Sequence, residues 1–194
     1  SATLTVNGDT TVRVDGLPAG TTFTVTEQGV GQNGWTVKDA TSQEGVENTN
    51  TTDGIVTGTI PAGSQASLTF SNTYHANEVS LNTDTTLKVQ KDLEGRDWRD
   101  TDSFDFTITG FRAPSGVNPV PVPEDTVVTV DANTDAYTAS FGDITFDTPG
   151  EYRYAIQENG DPEQPIAGID YSDAIYRVTV MVGDNGTGSL VIDS

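Results

Sequence analysis

Residues 148–160 read TPGEYRYAIQENG, and residues 18–29, PAGTTFTVTEQG, follow the same plan: proline, glycine, an alternating aromatic and aliphatic run, then a glutamate. Successive side chains of a strand point to opposite faces, so Tyr154, Ile156 and Glu158 share one face, as do Phe23, Val25 and Glu27. No window of about 11 residues or more holds a 3.6-residue apolar period, so the chain reads as all-β. Two copies of one plan within 194 residues imply two related domains rather than a solenoid.

Around these runs, the first half offers strands at 3–6, 11–14, 23–27, 35–38, 55–60 and 67–74. Turn signals such as Asn7-Gly8-Asp9 and Pro61-Ala62-Gly63 separate them. The polar stretch 41–53 reads as a long surface loop. After Tyr74 the segment HANEVSLNTDT reads as a linker, which gives domains at 1–76 and 86–194 with 77–85 between them. The second half offers strands at 87–93, 104–109, 126–130, 136–141, 152–158, 176–182 and 189–192, and a proline-bearing spacer loop at 114–123. Many short strands broken by turns point to β-sandwiches rather than to a parallel sheet.

The chain carries 9 Lys and Arg against 29 Asp and Glu, a formal net charge of -20. Such a field repels phosphate backbones and anionic lipid, which argues against nucleic-acid and membrane-surface binding. Cysteine is absent and His75 stands alone, so no thiol chemistry, metal set or cofactor is expected. No stretch has membrane-spanning length and no secretory signal starts at Ser1, as in a processed protein or an excised segment.

Four polar residues fall on stripes that should face a core. Lys91 alternates with Leu87, Val89 and Leu93; Asn72 sits among Leu68, Phe70 and Tyr74 in LTFSNTY; Glu27 and Glu158 end their strands. Strand-end polar residues often turn outward, and a lysine can snorkel, but four coincidences favour a chemical reason. A lysine amine attacks only when neutral, a form that apolar burial favours, while burial keeps a carboxyl protonated and able to donate. Such a carboxyl polarises a carboxamide and moves protons as ammonia leaves, giving an amide between two side chains.

The stretches LKVQKDLEGRDW, FDFTI, GEYRYAIQE and GIDYSDAIYRVTVMV resemble the isopeptide-forming domain of Gram-positive backbone pilins and cell-wall adhesins. VRVDGLPAGTTFTVTEQ through LTFSNTY resembles the collagen-adhesin B-type domain. The resemblance implies two Ig-like (reverse-Ig) β-sandwiches in tandem, each incomplete in this chain. It also implies a first-strand Lys joined to a last-strand Asn, with the Glu ending a central strand as proton shuttle. Lys91 and Glu158 match two of these roles in the second domain; Glu27 and Asn72 match two in the first. The missing Lys strand is expected before Ser1 and the missing Asn strand after Ser194. Lys38, on a central strand, does not match. An in-chain Lys91–Asn72 bond through a permuted domain, and strands donated by a neighbouring chain, are alternatives.

The function so implied is a structural stalk segment, extracellular on a bacterial cell wall, with neighbouring pilin or adhesin domains or subunits as partners. It is no turnover enzyme, since the reaction consumes its own side chains. The competing reading is a module binding a host protein or glycan through the loops at 41–53 or 114–123. Asp102 and Asp105 as a hydrolytic carboxylate pair rank third. Asp131, Asn133 and Asp135 lack the glycine and glutamate of a calcium loop and read as a turn. The Asn50 and Asn185 glycosylation patterns are too short to weigh.

Overall fold

A computed structural model describes residues 6, 8, 10–42, 46–50, 53–63, 65–82, 84–160 and 166–193, with 38–42 and 46–50 entering through their backbone pairing. The described residues form fourteen strands and one 3-10 turn, an all-β protein. They divide into two compact units, Ser1–His75 and Ala76–Ser194. The predicted strand at 3–6 lies outside the described residues apart from Val6.

In the first unit β1 (Thr22–Thr26), β4 (Ile55–Thr59) and β3 (Val46–Asn50) make an antiparallel sheet in the order β1-β4-β3. β2 (Trp35–Ser42) pairs with β5 (Leu68–Tyr74). The predicted loop at 41–53 therefore contains a strand. VENTN alternates without an apolar face, so its pairing with β4 leaves no hydrophobic signature. Conversely, 11–14 forms no strand, and Val12 and Val14 are exposed. The core here is shallow: Val56 is fully buried, Phe23 and Phe70 half-buried, and Val25 and Trp35 exposed.

The second unit begins with β6 (Val79–Leu81), inside the stretch expected as a linker, paired with β11 (Ile144–Phe146). Just before it, Asn77 bridges in parallel to Ser189. β7 (Lys88–Gln90) pairs with β10 (Thr138–Ser140). The main sheet is antiparallel, in the order β14 (Leu190–Asp193), β13 (Ile175–Asp184), β12 (Gly150–Asn159), β8 (Ser103–Arg112), β9 (Val127–Asp131).

Alternation decides what this sheet buries. Phe104, Phe106 and Ile108 of β8, Tyr152, Tyr154 and Ile156 of β12, and Val180 and Val182 of β13 all turn to the same interior. Phe141, Ile144 and Phe146 cover them, with the Phe146 and Tyr152 ring centroids 4.6 Å apart, which makes the unit an Ig-like sandwich. Each fully buried large apolar side chain contributes about 1.5–3 kcal/mol. Tyr154, wholly buried, keeps its hydroxyl satisfied by donating to the Pro121 carbonyl at 2.8 Å. The 114–123 segment, expected as a spacer loop, is thereby bound to the sheet.

Candidate functional site

The β7–β10 ladder continues past β7, because the Lys91 amide donates to the Tyr137 carbonyl at 3.0 Å. That keeps Lys91 in the strand's alternation and turns its side chain inward. Nζ stands 4.5 Å from the centroid of the Phe104 ring and donates to Glu158 Oε1 at 2.7 Å. Glu158 occupies the next inward position of β12 after Ile156, opposite Phe106. The two side chains are 10% and 2% exposed. Glu158 Oε2 accepts the backbone amide of Ser172 at 2.9 Å, so both carboxylate oxygens are engaged.

An aromatic shelf fixes the Phe104 ring. Trp98 meets it edge-on at 5.3 Å and stacks flat on Tyr137 at 4.4 Å, while Tyr171 meets it at 5.9 Å. The turn bearing Trp98 is held by Asp102, whose oxygens accept Arg96 Nη1 at 2.6 Å, Arg96 Nη2 at 2.9 Å and the Arg99 amide at 2.8 Å. The Arg96 hydrogen bonds bring the Asp102 carboxyl down to about 2, against the opposing effect of burial. Asp105, offered by the sequence as its hydrolytic partner, faces outward and accepts the Thr129 hydroxyl at 2.6 Å. Asp131 folds back on its own turn, accepting the Asn133 amide and the Thr134 hydroxyl, each at 2.9 Å.

In the first unit Glu27 follows β1 and Asn72 lies on β5, where Nδ2 donates to Glu27 Oε1 at 2.6 Å. Glu27 Oε2 is buried with no hydrogen-bond partner among the described residues. The pair lines a groove of about 240 Å³ together with Gln32, Trp35 and Val37. One sequence expectation needs correcting: Asn72 is exposed, whereas Leu68, Phe70 and Tyr74 are half-buried. The β2–β5 ladder carries a bulge between Val37 and Asp39, directly across from Asn72, and the groove opens there. Gly54 makes the close approach behind Glu27. Its φ is +62, a Cβ there would sit 2.5 Å from Val30 Cγ2, and its carbonyl accepts the Glu27 amide at 2.9 Å.

The structure thus brings Lys91 to Glu158 and Asn72 to Glu27, each pair within its own unit. The sequence did not reveal Phe104 as the platform under Lys91, nor the Ser172 amide. A backbone donor leaves no side-chain signature. Among the described residues no helix is long and apolar enough to cross a membrane, and no three His, Cys, Asp or Glu cluster as metal ligands.

Comparison with known proteins identifies a family for most of the second unit. Residues 87–194 match the family FctA, described as the Spy0128-like isopeptide containing domain. Residues 1–75 match a domain of unknown function, DUF5979. Neither a curated protein nor a solved structure matches. The FctA match spans more than half of the chain, including Lys91, Phe104, Glu158 and Ser172, so the chain belongs to the Spy0128-like isopeptide-containing family and is a structural domain of the pilin type.

Proposed function

We propose that this chain is a stalk segment of a Gram-positive surface pilin or adhesin, attached to the cell wall and locked by Lys–Asn isopeptide bonds that form without an outside enzyme. The observation that carries the reading is the buried Lys91–Glu158 pair, with Nζ 2.7 Å from Oε1 over the Phe104 ring. Lys91 Nζ is the nucleophile toward the carboxamide carbon of an asparagine on a neighbouring strand. Glu158 Oε1 takes the proton from Nζ and returns it to the departing nitrogen. A C–N bond forms, the original C–NH2 bond breaks, and one ammonia leaves. Each site reacts once, so there is no turnover.

The Glu27–Asn72 pair supports the same chemistry from the other side: the carboxamide is already hydrogen-bonded to a carboxyl, and an open groove leads to it. Asn72 supplies the carbon, an incoming lysine amine the nitrogen. Closing a loop of about 100 residues would contribute roughly 4–5 kcal/mol on the chain-entropy model used for disulfides. Under tension the covalent bond, rather than the strand ladder, would carry the load, which suits a stalk whose sequence contains no cysteine. Its partners are then adjoining domains or subunits of the same fibre.

The test is the intact mass, under denaturing conditions, of the protein recovered from the cell surface. Each bond lowers the mass by one ammonia, and digestion yields a branched peptide at Lys91 and another at Asn72. The residue joined to each also separates an in-chain Lys91–Asn72 bond from bonds to other strands. Unbranched peptides at both positions would sink the reading.

A further inference from the structure

We infer that the Tyr171–Ser172 segment is the positioning element of the Lys91 site, and that its backbone amide confines the proton carried by Glu158 to Oε1. This rests on the isopeptide reading above.

A side-chain carboxyl offers two oxygens, and only one of them can serve Lys91. Oε1 lies 2.7 Å from Nζ; Oε2 accepts the Ser172 amide at 2.9 Å. A backbone N–H donates and cannot accept. While it is in place, Oε2 stays an acceptor, and the proton leaving Nζ goes to Oε1, the oxygen from which it can return to the departing nitrogen. The same contact stops the carboxyl from rotating, which on a side chain 2% exposed would otherwise swap the two oxygens.

The segment is built to hold this position. The Tyr171 ring lies against Phe104, the ring under Lys91, and its hydroxyl accepts the Ile166 amide at 3.2 Å. The Ser172 hydroxyl accepts the Ala174 amide at 3.3 Å. Two consecutive residues thus brace the nucleophile's platform and the proton carrier at once. The first unit shows the contrast: Glu27 Oε1 accepts Asn72, while Oε2 is buried with no partner among the described residues.

Ser172→Pro removes this N–H, whereas Ser172→Ala keeps it and deletes only the hydroxyl. In protein recovered from the cell surface at a fixed time after expression begins, S172P should carry about a tenth or less of the parent's branched Lys91 peptide, as expected for a displaced catalytic group. S172A should restore it to within about twofold, since the donor is intact. The amide resonances of the 194-residue chain give a second reading that does not depend on S172P folding. In Glu158→Gln the Ser172 amide proton should move upfield as the carboxyl oxygen it donates to is replaced. An unmoved Ser172 resonance, or an S172P chain that branches as fast as the parent, overturns the inference. Absence of a branched Lys91 peptide from the parent overturns the isopeptide reading, and the Ser172 resonance still decides the positioning.

Discussion

Lys91 Nζ and Glu158 Oε1 lie 2.7 Å apart between side chains that are 10% and 2% exposed, above a phenylalanine ring. Partnered, they tolerate burial; singly, neither does. In unreacted protein, Lys91→Met should lower unfolding free energy by about 3–5 kcal/mol, because Glu158 is left without its partner. Replacing both, as Lys91→Met with Glu158→Leu, should recover most of that loss. A urea double-mutant cycle checks this, and additive losses would mean the pair is not coupled.

Acid should act on the second unit through Asp102. Its carboxyl is held at about 2 by Arg96, below its unfolded value, so its contribution is complete above roughly pH 4 and fades as pH falls toward 2. Asp102→Asn should lower stability at neutral pH by about 1.5–3 kcal/mol, the range for hydrogen bonds to charged groups. Thermal melts from pH 6 to about pH 2 should show parent and variant converging in acid. A constant gap across that range would refute the assignment.

Base should act through the buried phenols. Burial raises Tyr154 strongly and Tyr152 to a lesser degree, and both are satisfied as neutral donors, to Pro121 O and Thr148 O. Raised folded values mean that the native state holds protons the unfolded state releases, so stability should decline once pH exceeds about 10. Tyr154→Phe should lower neutral-pH stability by about 1 kcal/mol and speed proteolysis within 114–123. Cleavage there at the parent's rate would show that the hydroxyl does not hold the segment.

Gly54 should resist substitution. Gly54→Ala places a Cβ at φ +62, against Val30 and near Glu27 Cβ, and should destabilise the first unit by about 1–3 kcal/mol. Because the Glu27 amide donates to the Gly54 carbonyl, the Asn72 side-chain amide signals should shift in the same variant. Unchanged Asn72 resonances would separate the backbone approach from the site.

What was legible in the sequence follows from period two. Tyr152, Tyr154, Ile156 and Glu158 alternate over a ten-residue strand, long enough to show its buried face and the glutamate on it. β6 and β11 have three residues each, too few for a period to register, and β3 has a single apolar residue, Val46. Lys91 could be placed because its strand register runs on unbroken. Asn72 could not, because a bulge on the facing strand, rather than anything in LTFSNTY, decides its exposure. The Ser172 donor belongs to the backbone and has no letter of its own.

The parallel bridge at the start of the second unit has a mechanical consequence. Asn77 donates to the Gly188 carbonyl at 2.8 Å and accepts from the Leu190 amide at 2.9 Å, with both segments running the same way. A pull that enters at Ala76 and leaves along Leu190–Asp193 drags the two segments lengthwise past each other. Both bonds are then strained together, in shear, instead of being peeled one after the other. The chain therefore enters this unit through a lap joint rather than a zipper.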